Sequence, residues 1–500
     1  MRAELTRIST GISGLDTVLG GGYPEGHAIL LEGAPGTGKT TMALQFLSKS
    51  CRDGARGLFI SVAQTRKEID LIADSHGIDL ANVEIVCPDL DVWSGAVSVQ
   101  TDDALLDILV AQTEEALVEH RPRFFVFDSL LELRLLSANT VAYRRHLLIL
   151  RRRLQEMEAT GLLLDSLDGE MEDRHERGIV HGIIKLEARI PNIGTIRRRL
   201  MIPKMRGMVF LEGYHDFRIE HGGLNVYPRL VPTERPADAQ RFEPLSPSDP
   251  HLEKMLGGGL ELGTTALIAG QAGCGKSTMA TIFAVGAAGS GVNAALFLFE
   301  ERPEVFRMRS QALGLGLEPL EASGNLTLNH FDPAESSPGE FSRHVIAAVD
   351  GGAKVVVIDS LSGYLNALPD HDNVLTHLHT LLQYLARRRC LVIITLAQSG
   401  LLGEPPHTTI EAGYLADSII LLRHYAVGPS IRRSVAVVKK RHSAHERGIS
   451  ELVIMPHRVE VRPFDGSDEE AFIAQEGYSE STPGQSLGAR PSGHVPGGDR

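Results

Sequence analysis

Two stretches of the chain have residue types and spacing suited to phosphate chemistry. Gly33-Ala34-Pro35-Gly36-Thr37-Gly38-Lys39-Thr40 and Gly270-Gln271-Ala272-Gly273-Cys274-Gly275-Lys276-Ser277 both read Gly-x-x-x-x-Gly-Lys-Ser/Thr. Glycines at these places let backbone N–H groups turn inward on a phosphate chain, and the helix that follows offers its positive N-terminal end. Lys39 and Lys276 are then placed for β- and γ-phosphates. Thr40 and Ser277 are placed for Mg²⁺, with Thr41 and Thr278 next on the helix. Each lysine is followed, 89 and 83 residues on, by an apolar run ending in Asp128-Ser129 and Asp359-Ser360. Asp128 and Asp359 stand where a carboxylate would hold Mg²⁺ or its water. A glycine-rich turn or a capping aspartate explains one motif alone, but the ordered pair repeated twice points to ATP and Mg²⁺.

Hydrolysis asks for more, because an attacking water must be oriented and its proton accepted. Glu300-Glu301 directly follow the apolar run Ala295–Phe299, where side chains reach the phosphate crevice. Aligned on the strands, the first half has Ala63-Gln64 after Leu58–Val62. Alanine accepts no proton, and glutamine at best orients a water. The expectation is therefore a catalytic second site using Glu300, Glu301 and Lys276, and a first site that binds ATP but turns it over slowly or not at all. The plainer reading of Glu300-Glu301 is a solvated helix start.

The elements that must position these groups are themselves repeated. Leu15-Asp16-Thr17-Val18-Leu19-Gly20-Gly21-Gly22 recurs as Leu252-Glu253-Lys254-Met255-Leu256-Gly257-Gly258-Gly259, and the phosphate-loop lysines keep the same offset of 237. The two aspartates are 231 apart, and Lys204-Met205-Arg206-Gly207 answers Lys439-Lys440-Arg441-His442 at 235. Short apolar runs such as Ala28–Leu31, Phe124–Phe127, Gly161–Leu164, Ala266–Ala269, Val355–Ile358 and Leu391–Thr395 alternate with helical patterns. That alternation predicts an α/β fold built twice, each half a mainly parallel twisted sheet flanked by helices. The expected divisions are residues 1–235, 236–464 and 465–500. The join falls in a proline-rich linker, Pro232 to Pro250, and the last segment reads as a disordered acidic tail rich in Gly, Ser and Pro.

A net charge of −13, of which the tail supplies −5, argues against a chain that coats nucleic acid or an anionic membrane. Four scattered cysteines (Cys51, Cys87, Cys274, Cys390) form no Cys-x-x-Cys pair and read as reduced thiols of a cytoplasmic protein. The N-terminus has no signal-peptide pattern. Ser277–Phe299 lacks charge over 23 residues, but Gly289-Ser290-Gly291 divides it into a helix and a strand rather than a membrane span.

Taken together, both phosphate loops, both Asp-Ser strands, the Leu-x-x-x-Leu-Gly-Gly-Gly repeats, Glu300-Glu301 and the two Lys-x-Arg elements resemble the KaiC-like proteins, within the RecA-like P-loop ATPases, over about residues 8–462. The resemblance implies two tandem RecA-like domains in a two-tier, ATP-dependent homo-hexameric ring with nucleotide at subunit interfaces. It also implies signalling through a regulatory protein partner. Lys204 and Arg206 would reach the neighbour's ATP in the first tier, and Lys439 and Arg441 in the second. Serine/threonine autokinase activity is the second reading. However, the acceptor pair aligns with Gly413 and Tyr414, leaving Thr408 and Thr409 as displaced candidates. His181 stands where the second half keeps Asp417. A recombinase-like DNA-handling role, with Arg151–Arg153 or Arg197–Arg199 lining a pore, is the third reading.

Overall fold

The computed structural model describes residues 5–88, 102–137, 139–166, 176–191, 194–231, 243–366, 371–398 and 413–464. In the first half the strands are β1 (Arg7–Ile8), β2 (Tyr23–Pro24), β3 (Ala28–Gly33), β4 (Gly57–Ser61), β5 (Val83–Val86), β6 (Phe124–Asp128), β7 (Thr160–Ser166), β8 (Gly182–Arg189), β9 (Arg197–Met205), β10 (His215–Glu220) and β11 (Gly223–Tyr227). In the second half they are β12 (Pro244–Leu245), β13 (Leu260–Glu261), β14 (Thr265–Gln271), β15 (Ala294–Leu298), β16 (Leu326–His330), β17 (Val355–Asp359), β18 (Leu391–Gln398), β19 (Ser418–Val427), β20 (Ser430–Lys440), β21 (Ile449–Met455) and β22 (Arg458–Pro463).

Each half is a nine-stranded sheet, in the order β11-β10-β9-β8-β3-β7-β6-β4-β5 and its counterpart β22-β21-β20-β19-β14-β18-β17-β15-β16. Strands β8 to β5 and β19 to β16 run parallel, and the remaining three in each half extend the sheet antiparallel. Two α/β domains of one design follow, each built on a mainly parallel mixed sheet. Burial explains the continuous apolar runs. Along β3, Ile29 and Leu31 face one core while Ala28 and Leu30 face the other; along β14, Ala266 and Ile268 oppose Leu267 and Ala269. A strand covered by helices on both faces needs apolar residues at every position. The antiparallel extensions escaped the sequence reading because strands such as Asp216-Phe217-Arg218-Ile219-Glu220 and Arg458-Val459-Glu460-Val461-Arg462 alternate charged and apolar residues instead of forming continuous apolar runs.

The Gly-Gly-Gly repeats have a steric basis. Gly22 and Gly259 hold φ of 121° and 129°, and a Cβ on either would stand 2.1 Å from the carbonyl oxygen of Ile8 or Leu245. Only glycine lets the β1/β2 and β12/β13 ribbons close at those points. Of the expected linker Pro232 to Pro250, residues 232–242 lie outside the described residues, whereas β12 and the Asp249-capped helix Pro250–Met255 belong to the second sheet's surroundings. The two halves meet where Arg218 pairs with Glu340 at 3.0 Å and the Gly339 N–H donates to Asp216 at 2.9 Å.

Ser277–Phe299 resolves into the helix Lys276–Gly289 and then β15, and among the described residues no helix is long and apolar enough to cross a membrane. Cys51, Cys274 and Cys390 are buried, and burial pushes the Cys51 and Cys390 thiols up to about 11.

Candidate functional site

Both phosphate loops sit at the C-terminal end of a central strand, β3 or β14, and run directly into a helix, Lys39–Ser50 or Lys276–Gly289. Gly36 and Gly38 hold φ of 77° and 101°, and Gly273 and Gly275 repeat these at 76° and 102°. These left-handed residues fold the loop back on itself, so each lysine turns into it. Lys39 Nζ donates to the Gly33 and Ala34 carbonyls at 2.7 and 3.2 Å, and Lys276 Nζ to the Gln271 carbonyl at 2.8 Å. Gly33 must stay small, since a Cβ there would stand 2.6 Å from Thr37 Oγ1. Cys274, which aligns with Thr37, is fully buried beneath its loop, where a Cβ on Gly270 would meet its Sγ at 2.7 Å.

The hydroxyl and carboxylate at each site converge. Thr40 Oγ1 donates to Asp128 Oδ2 at 2.8 Å across 88 residues of sequence. In the second half Ser277 and Thr395 both hydrogen-bond Asp359. Burial pushes both carboxyls above the usual carboxylate range, with the hydroxyl bonds pulling the other way. A hydroxyl and a buried carboxylate at one point form a hard-oxygen pair that suits Mg²⁺. The ion would draw its remaining ligands from phosphate and water. The first site opens into a cleft of about 560 Å³ lined by Lys39, Thr40, Gln64, Asp128, Glu132 and Arg198, among others.

Adjacent in sequence, Glu300 and Glu301 part in space. Glu300 Oε1 accepts from Ser360 Oγ at 2.5 Å, beside Asp359. Glu301 instead takes a two-pronged ion pair from Arg309 at 3.1 and 2.8 Å, and Arg309 also reaches Thr278 Oγ1 at 3.3 Å. The arrangement holds Glu300 beside Asp359 and ties Glu301, through Arg309, to the helix that follows the phosphate loop. In the first half Ala63 is exposed, and Gln64 Oε1 is buried with no hydrogen-bond partner among the described residues. Ser129 Oγ donates to Glu132 at 3.0 Å.

The Lys-x-Arg elements lie elsewhere. Met205 pairs with Gly182, which pairs with Ile29 at the start of β3, whereas the loop begins at Gly33. Lys204, opposite Ile183 and so level with Leu30, and Arg206 then lie roughly 10 and 16 Å along the strand direction from their own loop at about 3.3 Å per residue, toward the opposite end of the sheet. Lys439, opposite Ile419 and so near Leu267, is similarly remote from Gly270. Within the chain these cations bind carbonyls and one carboxylate: Lys439 Nζ those of Gly413 and Ala416 at 3.0 and 2.7 Å, Lys204 those of Arg177 and Val180, and Arg206 that of Gly178. Arg441 is held by Asp417 at 3.2 Å. His181, in the corresponding place, has no such charge to offer and bonds the Arg206 carbonyl at 2.7 Å.

Sequence reasoning did not assign two arginines to the nucleotide sites. Arg198 lines the first cleft, and Arg433, its counterpart in strand register, donates to the Gly273 carbonyl at 3.2 Å. Their shared offset of 235, the same as that of the Lys-x-Arg elements, was the available signal. The arginine runs also have local partners: Arg197 donates to the Ala334 carbonyl, Arg199 pairs with Glu187, and Arg152 and Arg153 pair with Glu156 and Glu114. Tyr414 is 55% exposed, while Thr408 and Thr409 lie outside the described residues.

Comparison with known proteins agrees with this geometry. A family model described as "ATPase: KaiC" matches residues 8–231 and 250–465. The chain is 25% identical over 506 residues to the circadian clock oscillator protein KaiC of Acaryochloris marina, covering 96% of this chain and 92% of that one. It is 26% identical over 496 residues to the protein of the same name from Thermosynechococcus vestitus, with the same coverage, and 25% over 462 residues to that of Synechococcus elongatus, covering 90% and 88%. With two phosphate loops on two sheets of one order and a family match over most of its length, this chain belongs to the KaiC family of ATPases.

Proposed function

We propose that the chain binds Mg-ATP at both phosphate loops, hydrolyses it at the second, and works as a nucleotide-driven two-tier ring whose conformation is read by a protein partner. The convergence of Lys276, Ser277, Asp359 and the Ser360-held Glu300 on one crevice carries the hydrolytic part. When bound, Mg²⁺ neutralises charge on the β- and γ-phosphate oxygens. Ser277 and Asp359 would hold it in the second tier, and Thr40 and Asp128 in the first. Lys276 steadies the phosphates, and Glu300 orients the water and accepts its proton. The proposed units are residues 1–235 and 236–464, followed by the segment 465–500.

The ring is supported by the position of the cation pairs. Remote from their own loops, Lys204 and Arg206, and Lys439 and Arg441, would meet a nucleotide on a neighbouring chain. Analytical ultracentrifugation should then show a Mg-ATP-dependent shift from a small species to a closed oligomer. Arg441→Ala should keep two nucleotides per chain yet lower turnover at the second site roughly tenfold or more, because a cation from a neighbour stabilises γ-phosphate charge. Full turnover by a chain that stays monomeric in Mg-ATP would overturn the ring.

A further inference from the structure

The first site has not lost its carboxylate; the carboxylate arrives from a different element. Ser129 and Ser360 occupy equivalent places, each directly after the aspartate that ends β6 or β17. Each donates its hydroxyl to a glutamate: Ser360 to Glu300 at 2.5 Å, and Ser129 to Glu132 at 3.0 Å. Glu300 follows β15, whereas Glu132 belongs to the short helix Leu130–Leu135 after β6. Strand register makes Ala63 the counterpart of Glu300 and Gly363 the counterpart of Glu132, through the pairs Ser61–Asp128 and Leu298–Asp359.

The exchange is reciprocal for a steric reason. A Cβ on Gly363 would stand 3.1 Å from both Cγ and Oε1 of Glu300, so the two positions compete for one volume. Two carboxylates there would also repel. Each half keeps one glutamate and gives the other position to glycine or alanine.

We infer that Glu132 is the catalytic carboxylate of the first site, so that both tiers hydrolyse ATP. This rests on the reading of the chain as an ATPase and replaces the slow or silent first tier expected from Ala63-Gln64. Glu132 lines the cleft together with Lys39, Thr40 and Asp128. Gln64 also lines it, with an Oε1 that has no partner among the described residues and can take a hydrogen bond from the attacking water. In the step, the water oxygen bonds to the γ-phosphorus, and the bond from that phosphorus to the β,γ-bridging oxygen breaks. The electron pair leaves on ADP. The proton released by the water passes to Glu132 and from there to the phosphate product.

The test isolates the first site with Lys276→Ala and measures both nucleotide occupancy and phosphate release. That variant is expected to bind one nucleotide per chain and to keep measurable turnover. Adding Glu132→Gln should leave the occupancy at one and lower the remaining turnover about 100-fold. Moving the carboxylate back, with Ala63→Glu and Glu132→Gly, should restore it, a rescue that a merely structural role for Glu132 would not allow. An occupied first site without turnover in Lys276→Ala, or unchanged turnover after Glu132→Gln, overturns the inference and leaves the ATPase reading standing. Absence of phosphate release from the unaltered chain in Mg-ATP would instead overturn that reading itself.

Discussion

Glu300→Gln should leave two nucleotides bound per chain while lowering turnover at the second site about 10²–10⁴-fold, the usual worth of a general base. Glutamine keeps an oxygen that can accept from Ser360, so the 2.5 Å contact survives in kind and only basicity is lost. The reference is Lys276→Ala, which removes nucleotide from the second site. If Glu300 acts as argued, Glu300→Gln turns over no faster than Lys276→Ala despite holding one nucleotide more. Near-normal phosphate release from Glu300→Gln, with Lys276→Ala much slower, would remove Glu300 from the mechanism. Glu301→Gln should matter less, because that carboxylate is engaged by Arg309.

Arg134→Met should remove about 3–5 kcal/mol of stability from the first domain, because it strips buried carboxylates of a partner. Arg134 reaches Asp165 at 3.3 Å and Glu176 at 3.5 Å, and both acids have essentially no exposed side-chain surface. In the next strand Glu32, equally buried and opposite Asp165, is held by Arg177 at 2.6 Å. For a domain of this size the loss corresponds to a melting temperature lower by roughly 6–20 °C. The deficit should depend on pH. Burial already pushes the Glu176 carboxyl above its ordinary value, and without Arg134 its charge is harder still to keep. The folded variant then binds protons that its unfolded chain has released. The contribution of Glu176 to its stability is fully present in acid and is lost as pH rises through the raised value. Calorimetry should therefore find a larger deficit against the unaltered chain at pH 8 than at pH 5. Equal deficits at both would show that these acids do not sense the arginine.

The phosphate loops, the aspartates and the repeat were legible because each is a local pattern. A turn needs its own glycines, and a strand buried on both faces needs its own apolar run. The charged cluster was not. Glu32 and Asp165 sit inside otherwise apolar runs, and nothing in either run names its arginine, 145 residues on for Glu32 and 31 residues back for Asp165. Their second-half counterparts in register are Ala269 and Leu396, so the same framework also accepts an apolar solution. Glu132 was missed for a different reason. Comparing the halves position by position detects a lost glutamate at Ala63, but not its return from a neighbouring helix to the same serine. The divergence of Glu300 and Glu301 was equally hidden, since it depends on where Arg309 stands.

The distance between each Lys-x-Arg element and its own phosphate loop has a genetic consequence. In the proposed ring every chain is a recipient on one side and a donor on the other, so the two defects are not interchangeable. A Lys276→Ala chain spoils its own pocket but still serves a neighbour. An Arg441→Ala chain keeps its pocket and starves the next one. Co-assembled in equal amounts, the two proteins, each impaired in the second tier, would place an intact second-tier pocket beside an intact donor at about one interface in four, recovering second-tier turnover that neither possesses alone.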